Sequence, residues 1–295
     1  MPIEFDDSRV DVTGVDDRRG RGMGGGLAIG GGTGIVGLII VILVQVLGGG
    51  GQVSLPEGGA GSGAGSAESS EQLKRRCNGE GALREYTDCR LIRVYRLADD
   101  TWAEEFSRRG LSYHRPQLAF FEQQTRTGCG PASASVGPFY CPADQEIYLD
   151  LGFLDQLQQQ FGAKGEFAQA YIVAHEYGHH LQTLLGTERK VRAAQERDPG
   201  RANEYSVAME LQADCYAGAW AKLADERDGD GLVLDQADVD EAVRAAEAVG
   251  DDRIQQKVNG RVDPESWTHG SAAERSRWFR TGFESGDLGS CTTFG

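Results

Sequence analysis

Apolar and charged positions are unevenly divided along this chain of 295 residues. From Gly22 to Pro56 nothing is charged, and Leu27 to Leu47 holds 14 apolar residues, five glycines, Thr33 and Gln45 in 21 positions. A helix of that length spans the hydrocarbon core of a bilayer, so the pattern predicts one transmembrane helix over 27–47. A cleaved signal peptide is the competing reading. The length of the apolar stretch and the lack of a small-x-small site after it favour an uncleaved anchor. Arg18, Arg19 and Arg21 precede the span, and no Lys or Arg follows until Lys74. By the positive-inside rule residues 1–26 form a cytoplasmic tail, and the bulk of a single-pass protein is extracytoplasmic. The Gly/Ser/Ala-rich residues 48–70 read as a flexible linker, leaving 71–295 as one folded domain.

Within that domain the period changes to that of amphipathic elements. Phe167, Tyr171, Ile172, Leu181, Leu184 and Leu185 predict a helix over 166–185, with Gly186 as its stop. A second helix is expected over 203–222 and a third over 238–249. Ser271 and Glu274 form a capping box that opens another, carrying Trp278 and Phe279. Residues 145–150 read as a strand with Ile147 and Leu149 on one face and Tyr148 on the other. Helices mixed with short strands make an α+β fold.

Composition sharpens the division. Of 42 glycines, 20 lie in the first 66 residues, and the net charge is −15. No basic footprint for nucleic acid is present. All six cysteines follow the apolar run, where an outside location permits disulfides. Six cysteines allow 15 connectivities. The twelve-residue spacings of Cys77/Cys89 and Cys129/Cys141 suggest two local loops, leaving Cys215 with Cys291.

The chemistry lies in the first of these helices, at His175-Glu176-Tyr177-Gly178-His179. Histidines at i and i+4 share a helical face, so both imidazoles can reach one zinc, with Glu176 beside it to take a proton from water. The extended HExxHxxGxxH form fails, because its glycine position is Gln182 and its last histidine position is Leu185. A third ligand is therefore sought downstream. Glu210 and Asp214 share a face of the second helix at i and i+4. Glu210 can complete the zinc ligands while Asp214 holds a ligand histidine's other ring N–H. Small Ala213, Ala217, Gly218 and Ala219 around them suit close packing against another helix.

Blocks over nearly the whole chain resemble the bacterial neutral zinc metallopeptidases: the Arg/Gly-rich segment before the span, Cys129-Gly-Pro-Ala-Ser-Ala, the run Pro138 to Asp150, HEYGHHLQ at 175–182, ELQADCYAG at 210–218, AVGDDRIQ at 248–255 and THGSAAERSRWFRTGFESGD at 268–287. The resemblance implies a zincin-like domain with an active-site helix and a small mixed sheet, one catalytic zinc on His175, His179 and Glu210, and Glu176 as catalytic residue. In zincin-like folds a strand such as 145–150 borders the cleft and pairs with an extended peptide, which would make Tyr148 a substrate-binding residue; a plain core strand is the competing reading. The position of His269 fits a donor to the developing oxyanion, or equally a loop histidine making a structural hydrogen bond.

Other features compete with blander readings. Gly32, Gly34 and Gly37 match a dinucleotide-binding spacing, but no strand precedes them. Gly22, Gly26, Gly30 and Gly34 would make a small helical face for self-association, or are plain low complexity. His114 and His180 lack ligand spacing and read as structural. The acidic run at 226–240 has Ala237 where a calcium loop needs a bidentate glutamate. Two alternatives to peptide hydrolysis are a zinc-stabilised extracytoplasmic interaction protein without turnover and a hydrolase of a non-peptide cell-wall amide.

Overall fold

The computed structural model describes residues 3–5, 9–20, 68–161, 165–227, 229 and 231–294. The run Leu27 to Leu47 and Gly22, Gly26, Gly30 and Gly34 lie outside them. Among the described residues no helix is long and apolar enough to cross a membrane. Among the described residues three short sheets meet ten helices in a mixed α+β fold.

Strands β1 (Glu4–Phe5) and β8 (Leu232–Val233) pair antiparallel, and β4 (Gln124–Thr127) and β5 (Gly130–Ser133) form a hairpin. The main sheet runs β2 (Val15–Asp17), β3 (Gln117–Phe121), β7 (Glu146–Asp150), β6 (Phe139–Cys141). Its first three strands are parallel, and β6 runs antiparallel to β7. The sheet thus has two edges of different origin. One is β2, from residues expected to stand apart from the domain; the other is β6.

Residues 9–20 belong to the domain in every physical sense. Val10, Val12 and Val15 are buried in the main core cluster. The Arg19 guanidinium donates to both Asp17 and Asp88 at 2.8 Å, and Arg76 donates to Asp88 from the other side at 2.7 Å. Burial pushes the Asp88 carboxyl up, but the Arg76 hydrogen bond and the Arg19 charge win and hold it below the ordinary range. A carboxyl depressed in the folded state contributes stability that is full above its unfolded pKa, ~3.9, and is lost as pH falls through the folded value. We therefore expect the melting temperature of the full chain to drop below about pH 4. In Asp88→Asn that acid drop should be smaller; parallel profiles for the two proteins would remove Asp88 from the account.

The helices are α1 (Ser70–Cys77), α2 (Ala82–Glu85), α3 (Thr87–Arg108), α4 (Leu151–Phe161), α5 (Glu166–Leu184), α6 (Thr187–Arg197), α7 (Ala202–Asp225), α8 (Gln236–Ala248), α9 (Asp251–Asn259) and α10 (Ala272–Ser285). The expected helices at 166–185, 203–222 and 238–249 are α5, α7 and α8. Gly186 follows α5 with φ 73°, a left-handed stop that costs glycine no Cβ clash. The Ser271–Glu274 capping box is formed on both sides.

Helix α7 packs against both α5 and α10, and small residues set how closely. A Cβ at Gly178 of α5 would stand 3.0 Å from the Ala213 backbone. Between α7 and α10 the approach is tighter still: a Cβ at Gly218 would lie 1.9 Å from the Phe279 carbonyl, and one at Gly282 1.9 Å from that of Cys215. The expected small-residue packing of Ala213 and Gly218 is thus real.

All six cysteines are paired, as Cys77–Cys89, Cys129–Cys141 and Cys215–Cys291, which is the pairing the spacings suggested. The last closes a loop of 76 residues and ties the C-terminus to α7. Cross-linking a loop of that size contributes about 4 kcal/mol on a chain-entropy account.

Candidate metal centre

Helix α5 presents His175 and His179 on one face, their ring centroids 4.9 Å apart. Opposite them α7 presents Glu210, with Oε2 3.2 Å from His175 Nε2 and Oε1 3.5 Å from His179 Nε2. One donor atom from each residue lies within 4.8 Å of the other two. The sequence pattern puts the histidines on one face; the Gly178–Ala213 contact brings the second helix close enough for the glutamate to join them.

The far nitrogen of each ring is occupied. His175 Nδ1 donates to Asp214 Oδ1 at 2.8 Å, and His179 Nδ1 donates to Gln182 Oε1 at 2.8 Å. Both Nε2 atoms are thereby left facing Glu210, the tautomer a cation requires of an imidazole ligand. Gln182 is itself anchored, donating to the Met209 carbonyl at 2.7 Å and to Gln212 at 3.2 Å. The residue that breaks the longer histidine motif therefore has a positioning role of its own.

Asp214 is fully buried and carries more than His175. Arg275, from α10, donates to it through Nε at 2.8 Å and Nη2 at 3.0 Å, and the Tyr171 hydroxyl donates to its Oδ1. Burial works against ionisation of Asp214, but the Arg275 and His175 charges hold its carboxyl below the ordinary range. Burial likewise pushes His175 down, yet Asp214 outweighs it and the ring is raised to about 10 without a cation. Ion binding must therefore displace a proton from this ring. For Glu210 burial is overcome by the charges of His179, His269 and His175, and the carboxyl lies well below its usual range. The donor set is two imidazoles and one ionised carboxylate, which fits zinc with an open position.

Glu176 lines the same cavity without being one of the three donors. Burial raises its carboxyl above the ordinary value, against the charges of His179 and His175, and it accepts a hydrogen bond from the Tyr140 backbone of β6. His269 also lines the cavity. Asp251, at the start of α9, accepts the backbone N–H groups of Thr268, His269 and Gly270 at 2.7–3.0 Å, and its other oxygen lies 3.3 Å from His269 Nδ1. The loop carrying His269 is thus tied to one carboxylate.

Tyr148 is elsewhere. It is 1% exposed, stacked on Phe139 with ring centroids 4.8 Å apart, and its hydroxyl donates to Glu146 and Asp144. Its strand, β7, is interior, with its backbone committed to β3 and β6 on either side. It has no free edge for a peptide. The strand bordering the cavity is β6, with Phe139 and Tyr140 in the wall. His180 is buried and hydrogen-bonded to the Tyr140 hydroxyl at 3.1 Å and the His114 carbonyl at 2.7 Å, the structural role expected of it. From sequence Tyr171 stands only as an apolar helix position and Gln182 only as the residue that breaks the longer motif, and neither they nor Arg275 and Asp251 are expected at the site; Gln182, Asp251 and Arg275 lie within the 175–182, 248–255 and 268–287 blocks.

A His-Glu-x-x-His turn on α5 and a glutamate on α7 thus converge on a candidate metal site, with each donor ring held from its far side. The chain belongs to the family described as "Putative neutral zinc metallopeptidase", whose model matches residues 6–294. It is similar to the "Uncharacterized protein YpfJ" of Escherichia coli (strain K12), 47% identical over 203 residues, 68% of this chain and 69% of that one. It is also similar to the "Uncharacterized protein Rv2575" of Mycobacterium tuberculosis (strain ATCC 25618 / H37Rv), 46% identical over 216 residues, 71% of each. No solved structure matches the chain.

Proposed function

We propose that this protein is a zinc-dependent peptidase working in the extracytoplasmic space, where its disulfides form. The observation that carries the reading is the convergence of His175, His179 and Glu210 with the buried carboxyl of Glu176 beside them in one cavity. A bound zinc supplies a Lewis acid for the scissile carbonyl and lowers the pKa of water toward ~7. The chain's own residues do the rest. Glu176 takes the proton of the attacking water and passes it to the leaving amine, a transfer favoured by its raised pKa. His269, its ring braced by Asp251, donates to the oxygen that gains charge. Asp214 and Gln182 hold the two ligand rings in register.

The substrate class follows from the walls. Among the described residues no strand pairs with the outer edge of β6, so an extended peptide can add there as a further strand. Val136, Phe139, Phe153, Leu157, Ile172 and Ile254 make the cavity largely apolar, suiting a bulky apolar side chain near the scissile bond. The test is cleavage of a proteome-derived peptide library by the purified, zinc-loaded protein. Cuts beside apolar residues are expected; zinc binding with no cleavage of any peptide would reject the reading. Glu210→Ala should lower zinc content, and unchanged stoichiometry would move the third-ligand role to Asp214 or His269.

A further inference from the structure

We propose that the N-terminal segment, residues 9–20, and the metal-site domain lie on the same side of the membrane. The described chain leaves at Gly20 and returns at Glu68, and these ends meet: the Glu68 N–H donates to Asp17 Oδ2 at 3.2 Å. Arg76, eight residues after Glu68, binds both Glu68 and the Asp88 carboxylate that Arg19 binds. Two points hydrogen-bonded to each other cannot stand on opposite faces of a hydrocarbon layer about 30 Å thick.

The segment's attachment is built into the fold. Val15, Asp16 and Asp17 pair in parallel with Leu118, Ala119 and Phe120. Leu118 donates to the Gly14 carbonyl at 2.9 Å, and Arg18 donates to that of Phe120 at 2.8 Å. The Asn78 side chain both accepts from and donates to the Val10 backbone. Pulling this segment to the far side of a membrane would strip an edge strand from the sheet and expose Val10, Val12 and Val15.

The arginines that read as a cytoplasmic signal also have other employment. Arg18 forks onto both oxygens of Glu146 at 2.8 and 2.9 Å, and Arg19 onto Asp17 and Asp88. Charge neutralised by the domain's own carboxylates is not available to hold a tail in the cytoplasm. A second crossing that returned the chain would need another run of about 20 apolar residues. Residues 48–67 are chiefly Gly, Ser and Ala and contain none.

The test places one epitope tag before residue 1 and another after residue 295 of the full chain, and adds protease to sealed spheroplasts. The two tags are expected to behave alike, both digested or both protected. One digested while the other is protected overturns the proposal. A second measurement reads the docking itself. Arg19→Glu, which sets a third carboxylate against Asp17 and Asp88, should lower the melting temperature of the detergent-purified chain by at least about 5 °C. An unchanged melting temperature would show that the segment is not docked and would overturn the proposal as well.

Discussion

Replacing Glu176 by Gln is expected to leave zinc bound and to lower peptide hydrolysis by about 10²–10⁴-fold, the range by which a positioned general base accelerates a proton transfer. Glutamine keeps the shape of glutamate and an oxygen for the Tyr140 N–H, so the cavity wall is preserved. What it loses is the ability to accept a proton. The three metal donors do not include Glu176, and the side chains steering the two rings are Asp214 and Gln182, so metal stoichiometry should match that of the unaltered protein. Metal analysis and peptide turnover on the same preparation decide the matter. Turnover within tenfold of normal would remove Glu176 from the proton path, whereas loss of zinc would show that it helps to hold the ion.

The largest effect on stability is expected at Arg275. Its side chain is 3% exposed and faces Asp214, which has no exposed surface, so the pair is desolvated almost completely. Removing one member of such a pair strands the other charge, at a cost of about 3–5 kcal/mol. Arg275→Met should show that loss in denaturant unfolding of the full chain and should weaken zinc binding, because Asp214 no longer has its fixed partner while holding His175. Lysine is a poor substitute, since it cannot fork onto both oxygens. The double variant Arg275→Met with Asp214→Asn removes both charges and should recover much of the stability. If the double variant is as unstable as the sum of the two single ones, Arg275 and Asp214 are not coupled.

The parts of the site that lie along one helix were readable from sequence, and those that depend on how elements meet were not. His175, Glu176 and His179 sit within one and a half turns, and Glu210 and Asp214 within another, so the helical period alone placed them. The stop at Gly186 and the capping box at Ser271 were equally local. Arg275 is one of three arginines in the Arg275-Ser276-Arg277-Trp278-Phe279-Arg280 stretch of α10, and nothing in their neighbours marks the inward one. Its direction is fixed by the crossing of α10 over α7. Strand order is likewise non-local: the run 145–150 alternates as a cleft strand would, but β3 and β6 cover both its edges. The hardest case was residues 9–20. Two arginines beside an apolar run look the same whether they face lipid headgroups or carboxylates 69 and 128 positions away at Asp88 and Glu146.

Gly218 and Gly282 carry no chemistry, yet they limit what this fold can become. Each would drive a methyl group into the carbonyl of the opposite helix, so neither position tolerates even alanine without moving α10 away from α7. Because Arg275 rides on α10 and Glu210 and Asp214 on α7, such a shift would separate the cation from the carboxylate that steers His175. Anyone grafting this centre onto another scaffold would have to carry over two absences of side chain along with the ligands. Drift in natural descendants should be as restricted at these glycines as at the histidines, for reasons of distance between helices and none of reactivity.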